Sequence, residues 1–99
     1  MLYHIHAIDR ADAGSTRADN RAEHLDYLSG FKNIVLAGAA LSDDGETPVG
    51  SVLVVNVADR AEAEAFSAGD PFTKAGLFGS VSITRMRKGV FSPEAAEGA

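Results

Sequence analysis

Cysteine is absent from this sequence, and so is tryptophan. No disulfide, thiolate metal site or cysteine nucleophile is therefore available. Aromatic residues make up only 7% of the 99 positions, so the core must rest on Val, Ile, Leu and Ala. A core that lean gains from burying a sheet face against a partner chain. Nine basic residues face fourteen acidic ones, for a formal charge of −5. Nucleic-acid binders show a basic footprint. The one basic cluster, Arg85-Met86-Arg87-Lys88, reads as a solvated strand end, so no nucleic-acid partner is expected. No apolar run approaches the ~20 residues that cross a bilayer. The start Met1-Leu2-Tyr3-His4-Ile5 lacks the charged opening and apolar run of a signal peptide. A cytoplasmic protein with no membrane partner is expected. The glycines are scattered and no Ser or Thr sits in a nucleophile elbow, so no cofactor is expected either.

What is present fits one domain. Leu2 to Ile8 reads as a strand. A helix follows from Ser15 or Thr16 to about Phe31, with Thr16 and Asp19 spaced as a capping box. Its apolar positions Ala18, Ala22, Leu25, Leu28 and Phe31 recur at helical spacing. Ile34 to Leu41 and Val49 to Val57 form two strands around a polar loop, as in a hairpin. The three acids of that loop do not have calcium-loop spacing. A second helix opens at Asp59, with Glu62 three positions on, and ends at Gly69. Asp70-Pro71 has the form of a cap and first residue of a short helix. Val81 to Arg87 is the last strand. The order β-α-β-β-α-β is the ferredoxin-like, split βαβ pattern of an α+β domain. It predicts a four-stranded antiparallel sheet with both helices on one face. The other face needs a cover, and a second copy of the chain is the simplest one. Residues 1–88 are read as the domain and 89–99 as a tail, in which Phe91 is a possible anchor.

The first helix carries the most chemistry. At about 100° per residue, Arg17, Arg21, Leu28 and Phe31 fall within about 60° of His24. Charged groups on such a stripe must reach the rim, find partners or line a cavity. The plain alternative is that the arginines snorkel and His24 is a satisfied boundary residue. If Asp70 meets His24, the carboxylate fixes the imidazole tautomer and makes a general base. Spacing alone does not bring them together. His4 and His6 lie two apart on a strand and share a face. With His24 they would supply three imidazoles, as catalytic zinc sites use. A bare His-x-His is a frequent chance string, so no metal is expected; the milder reading is that one of the pair lines a substrate cavity.

The strings Met1-Leu2-Tyr3, Arg21-Ala22-Glu23-His24-Leu25-Asp26-Tyr27-Leu28 and Ala37-Gly38 resemble the YCII-related family. So does Asp70-Pro71-Phe72-Thr73-Lys74-Ala75-Gly76-Leu77-Phe78. The resemblance spans about residues 1–88 in order. It implies a ferredoxin-like fold that forms a dimeric α+β barrel, with a cavity His–Asp pair that falls on His24 and Asp70. Arg21 matches an arginine frequent in the family one turn before that histidine. The family's better-understood activity is lyase-like removal of halide from an aromatic ring compound, and its structural relatives include a lactone isomerase. His4 and His6 depart from the usual pattern. The expectation is a cofactor-independent homodimeric enzyme, lyase- or isomerase-like, acting on a small oxygenated cyclic or aromatic molecule. His24 and Asp70 are its catalytic candidates, and Arg21, His6 and Phe72 its substrate-binding ones. The alternative is a non-catalytic small-molecule-binding or accessory dimeric domain.

Overall fold

A computed structural model describes residues 1–99. The elements run β1 (Leu2–Asp9), α1 (Thr16–Ser29), β2 (Ile34–Leu41), β3 (Pro48–Asn56), α2 (Arg60–Gly69), α3 (Pro71–Lys74) and β4 (Phe78–Met86). The four strands form one antiparallel sheet in the order β2-β3-β1-β4. This is the ferredoxin-like α+β arrangement. The tail beyond β4 makes one 3-10 turn, Pro93–Ala96. Within the chain Phe91 anchors nothing: it is exposed, with the Lys88 ammonium 5.7 Å above its ring. No helix is long and apolar enough to cross a membrane.

Strand alternation decides which side is core. Tyr3, Ile5 and Ala7 of β1 are buried, as are Leu53 and Val55 of β3. They pack against Ala63 and Phe66 of α2 and against Tyr27, Leu28 and Phe31 at the end of α1. Both helices therefore cover the same face. Only 14 of the 99 residues are buried, so each large core side chain carries a sizeable share of the stability.

Capping explains the ends. Asp59 accepts from the Glu62 backbone N–H at 2.9 Å, and the Glu62 carboxylate accepts from Ala58 N at 3.1 Å. The reciprocal cap expected for α2 is thus present, shifted by one residue on its return bond. At α1 the expectation fails. Ser15 is the cap residue, Thr16 is already helical, and neither side chain accepts a backbone N–H. Instead Thr16 Oγ1 donates to the Ala13 carbonyl and Ser15 Oγ to Asp19 Oδ2. The helix also stops at Ser29, short of Phe31, and Gly30 caps it in a right-handed conformation (φ −80°). In the β2–β3 loop, the Asp44 carboxylate accepts from Ser42 Oγ and the Glu46 N–H. Those two bonds, the hydroxyl first, hold its pKa below the ordinary value. β4 begins three residues before the expected Val81, because Phe78 pairs with Asp9 across a bulge.

Candidate active site

Asp70 stands at a junction. Its backbone N–H closes α2 on the Ser67 carbonyl, and its side chain opens α3 by accepting from Phe72 N at 2.9 Å. Pro71 takes the first helical position, where a missing N–H costs nothing. The same Oδ1 is 2.8 Å from His24 Nδ1, across 46 residues of sequence. Both residues are buried, His24 at 8% exposure and Asp70 at 4%. A carboxylate has only acceptors, so Nδ1 carries the hydrogen and donates. That leaves Nε2 with the lone pair. It has no hydrogen-bond partner in the chain and is not sealed from solvent, since Thr73 Oγ1 is the one fully buried side-chain polar atom left unpaired.

Phe72 fixes the imidazole from its flat side. The rings stack with centroids 3.9 Å apart and planes 13° from parallel. Phe72 is 1% exposed and meets Phe78 edge to face, so it forms a rigid wall. The charge of Asp70 also reaches Tyr27. Burial raises the phenol pKa, and the Asp70 carboxylate raises it further.

His24 and Phe72 line a cavity of about 860 Å³ between α1 and the β2–β3 side of the sheet. That volume is in the range of small-molecule sites. The space exists because β2 offers Ala37, Gly38 and Ala39 beneath the helix. Arg10, Arg17 and Arg21 also line it, against one acid, Asp9. The wall is thus locally basic in a chain of net charge −5. Arg21 is exposed and makes no ion pair or side-chain hydrogen bond. Arg17 is held by Asp9 and Ser51, three residues that the sequence reading did not single out as a unit.

His6 is not part of this cavity. It pairs with Val52 and Ser82, and His4 with Val54 and Thr84, on the sheet face away from the helices. Alternation requires this, because Ile5 and Ala7 point to the core. The sheet therefore divides His4 and His6 from His24. The three imidazoles weighed as a metal set do not converge.

A ferredoxin-like domain with a buried His–Asp pair opening on a basic cavity is the kind of protein this chain is. Its sequence matches the YCII-related domain over residues 1–87, and the chain belongs to that family. Protein YciI of Escherichia coli O6:H1 is 29% identical over 96 residues, covering 89% of this chain and 98% of that protein. The structure of 5-chloro-2-hydroxyhydroquinone dehydrochlorinase (TftG) from Burkholderia phenoliruptrix AC1100, in complex with 2,5-dihydroxybenzoquinone, superposes with a TM-score of 0.83. It is 36% identical, covering 90% of this chain and 96% of that one. Protein Atu4242 from Agrobacterium tumefaciens shares the fold at 19% identity and a TM-score of 0.54, with 94% of this chain and 98% of that one covered.

Proposed function

We propose that this chain is a cofactor-independent enzyme, a lyase or isomerase, that abstracts a proton from a small oxygenated cyclic or aromatic compound. The observation that carries the reading is the His24–Asp70 pair with Nε2 free beside the cavity. Nε2 takes a proton from a ring carbon or hydroxyl. The bonding pair left behind moves into the ring as an enolate or phenolate. Asp70 holds the ring tautomer and faces the positive charge that forms on the imidazole. In an elimination, the electrons expel a leaving group such as chloride. In an isomerisation, the proton returns to another carbon. Both outcomes are redox-neutral and call for no cofactor. Phe72 packs the base, and Arg21 at the mouth draws in an anion. The likeness to the dehydrochlorinase, whose structure holds a dihydroxybenzoquinone, supports an oxygenated six-membered ring as substrate. The reaction is assigned to the cytoplasm, in keeping with a sequence free of cysteine.

The working unit in this reading is a homodimer. The sheet face away from the helices carries Leu2, His4, His6, Leu36, Val52, Val54 and Met86, and no Asp, Glu, Lys or Arg. A second copy placed on that face buries it without stranding a charge.

The test follows 5-chloro-2-hydroxyhydroquinone by chloride release, and 2,5-dihydroxybenzoquinone by binding. His24→Ala is expected to lower turnover by about 10²–10⁴-fold while still binding the quinone. Turnover that survives the substitution overturns the assignment. Quinone binding with no turnover in the wild-type chain leaves a binding domain instead.

A further inference from the structure

His4 and His6 stand on the side of the sheet that proton transfer leaves unused. Both project from β1 onto the face away from the helices, where their ring centroids lie 6.2 Å apart and the planes meet at 48°. Of the three histidines only His24 makes a side-chain hydrogen bond or ion pair, so the nitrogens of these two rings are free. Each residue is half-buried. Their cross-strand neighbours are Val54 and Thr84 beside His4, and Val52 and Ser82 beside His6. None of these is charged, so nothing on the sheet repels a cation or competes with it for the imidazoles. β1 is an inner strand, paired on both sides, which holds the two side chains at a fixed spacing.

Two rings sharing one tetrahedral ion, with metal–nitrogen bonds of about 2.0–2.1 Å, have centroids about 5 Å apart. The observed spacing is near enough for rotation about the side-chain bonds to close it. A His-x-His string is common by chance; the setting gives this one a use. Two imidazoles leave such an ion half-coordinated, and Ser82 and Thr84 offer only neutral hydroxyls, which are poor zinc ligands. The other two ligands have to come from another chain. In a dimer closed on this face, the two-fold axis runs through the middle of the patch, and residues there meet their own copies. The middle of the four-stranded face lies between β3 and β1, at Val52, Val54, His4 and His6. We propose that His4 and His6 of two copies hold one Zn²⁺ between them, in a four-imidazole site on the two-fold axis. Imidazole suits zinc, copper and nickel alike, and tetrahedral closure favours zinc. No carboxylate or thiolate belongs to the site, so the ion keeps its double charge, which the net negative charge of both chains offsets. It sits across the sheet from His24 and takes no part in proton transfer; it ties the copies together. The inference rests on the dimer reading, but its ligands are residues that the dimer itself does not require.

The test adds Zn²⁺ alone to the full chain, purified without a histidine tag, at concentrations low enough for the dimer to dissociate. Elemental analysis after gel filtration is expected to give one zinc per two chains. Light scattering should show dimerisation tightened by about tenfold or more. EDTA should reverse that gain, a readout that needs no substitution. His4→Gln and His6→Gln should each abolish it, with the circular dichroism unchanged. One zinc per chain, whatever the mass, overturns the shared site. Zinc retained by the chain carrying both substitutions belongs elsewhere and overturns it too. A dimer that forms equally well in EDTA and takes up no zinc overturns the site and leaves the dimer standing. A monomer with and without zinc, up to tens of micromolar, overturns both.

Discussion

Tyr27 is a spectroscopic reporter of the Asp70 carboxylate. Burial and then the Asp70 charge raise its pKa above the ordinary phenol value of 10.0. Removing that charge with Asp70→Asn should lower it part of the way. The sequence has two tyrosines, so phenolate absorbance in a Tyr3→Phe background isolates the signal. An unchanged titration would mean that Asp70 does not carry its charge near Tyr27. The sign for stability follows. A phenol that holds its proton longer in the folded chain leaves stability intact below the ordinary phenol range. Stability then falls as pH rises through the raised value. The tautomer gives a second test. When neutral, His24 should show a protonated Nδ1 and a bare Nε2 in its imidazole nitrogen shifts, and the reverse pattern would remove the base. At this scale the sequence was readable in part. His24 could be marked by its place on an inward helix stripe and Asp70 as a cap before Pro71, but only the family resemblance paired them, since 46 residues separate them in sequence. Arg17 and Arg21 share that stripe equally. Choosing between them needs the positions of Asp9 and Ser51, which only strand pairing supplies. His6 was different, because the signal was present. Tyr3, Ile5 and Ala7 alternate with His4 and His6, and that alternation already turns the histidines away from the helices.

Two helices with similar-looking starts end up capped differently, and the difference is measurable. Asp59 makes a true cap bond to Glu62 N. Asp59→Ala should therefore cost about 1 kcal/mol in denaturant unfolding. Thr16→Ala should cost less, because its hydroxyl donates to a loop carbonyl and leaves the helix N–H groups as they were. Equal losses would mean that the α1 start is capped by side chains after all. The S/T-x-x-acid spacing looks the same at both sites. What separates them is the chain path before the helix: at α1 a turn through Gly14, at φ +57°, brings Ala13 under Thr16 and claims its hydroxyl. Strand spans were easier to read, since β-branched and small residues at period two are local. The early start of β4 was not, because pairing of Phe78 with Asp9 depends on a bulge in the neighbouring strand. Gly50 on β3 supplies a sharper test of sheet packing. A Cβ there would overlap the Ala7 carbonyl oxygen of the adjacent strand, and backbone cannot swing aside as a side chain does. Gly50→Ala should destabilise by about 2–3 kcal/mol. Gly38→Ala on the edge strand meets open space and should cost far less.

At the scale of the whole molecule, the unsolved surface is the sheet face opposite the helices. Its two layers, helices over sheet, leave Leu36 at 64% exposure and Met86 at 40%. Val52 and Val54 lie between them on the central strand, next to His6 and His4. A quarter of the chain is charged, at 23%, yet this face has no formally charged side chain. That is the composition of an interface core, where charged residues are depleted. A stable dimer needs about 800 Å² from each partner, roughly an eighth of this chain's 6442 Å². One sheet face is large enough to supply it. The antiparallel four-stranded sheet and its uncovered face both followed from the β-α-β-β-α-β pattern, since two crossover helices can cover only one side. The identity of the cover did not, because a second copy and any other apolar partner satisfy the same pattern. We therefore predict that the chain, 10.3 kDa as a monomer, scatters light as a dimer at tens of micromolar. Val54→Asp places a carboxylate at the centre of the face, where a monomer can hydrate it and a dimer cannot. It should return the mass to one chain, with the helical circular dichroism retained. A wild-type monomer at that concentration, or a Val54→Asp variant that stays dimeric, would place the contact elsewhere. The His24 cavity lies on the other side of the sheet, so 2,5-dihydroxybenzoquinone binding in the monomeric variant then tells whether the site is complete within one chain.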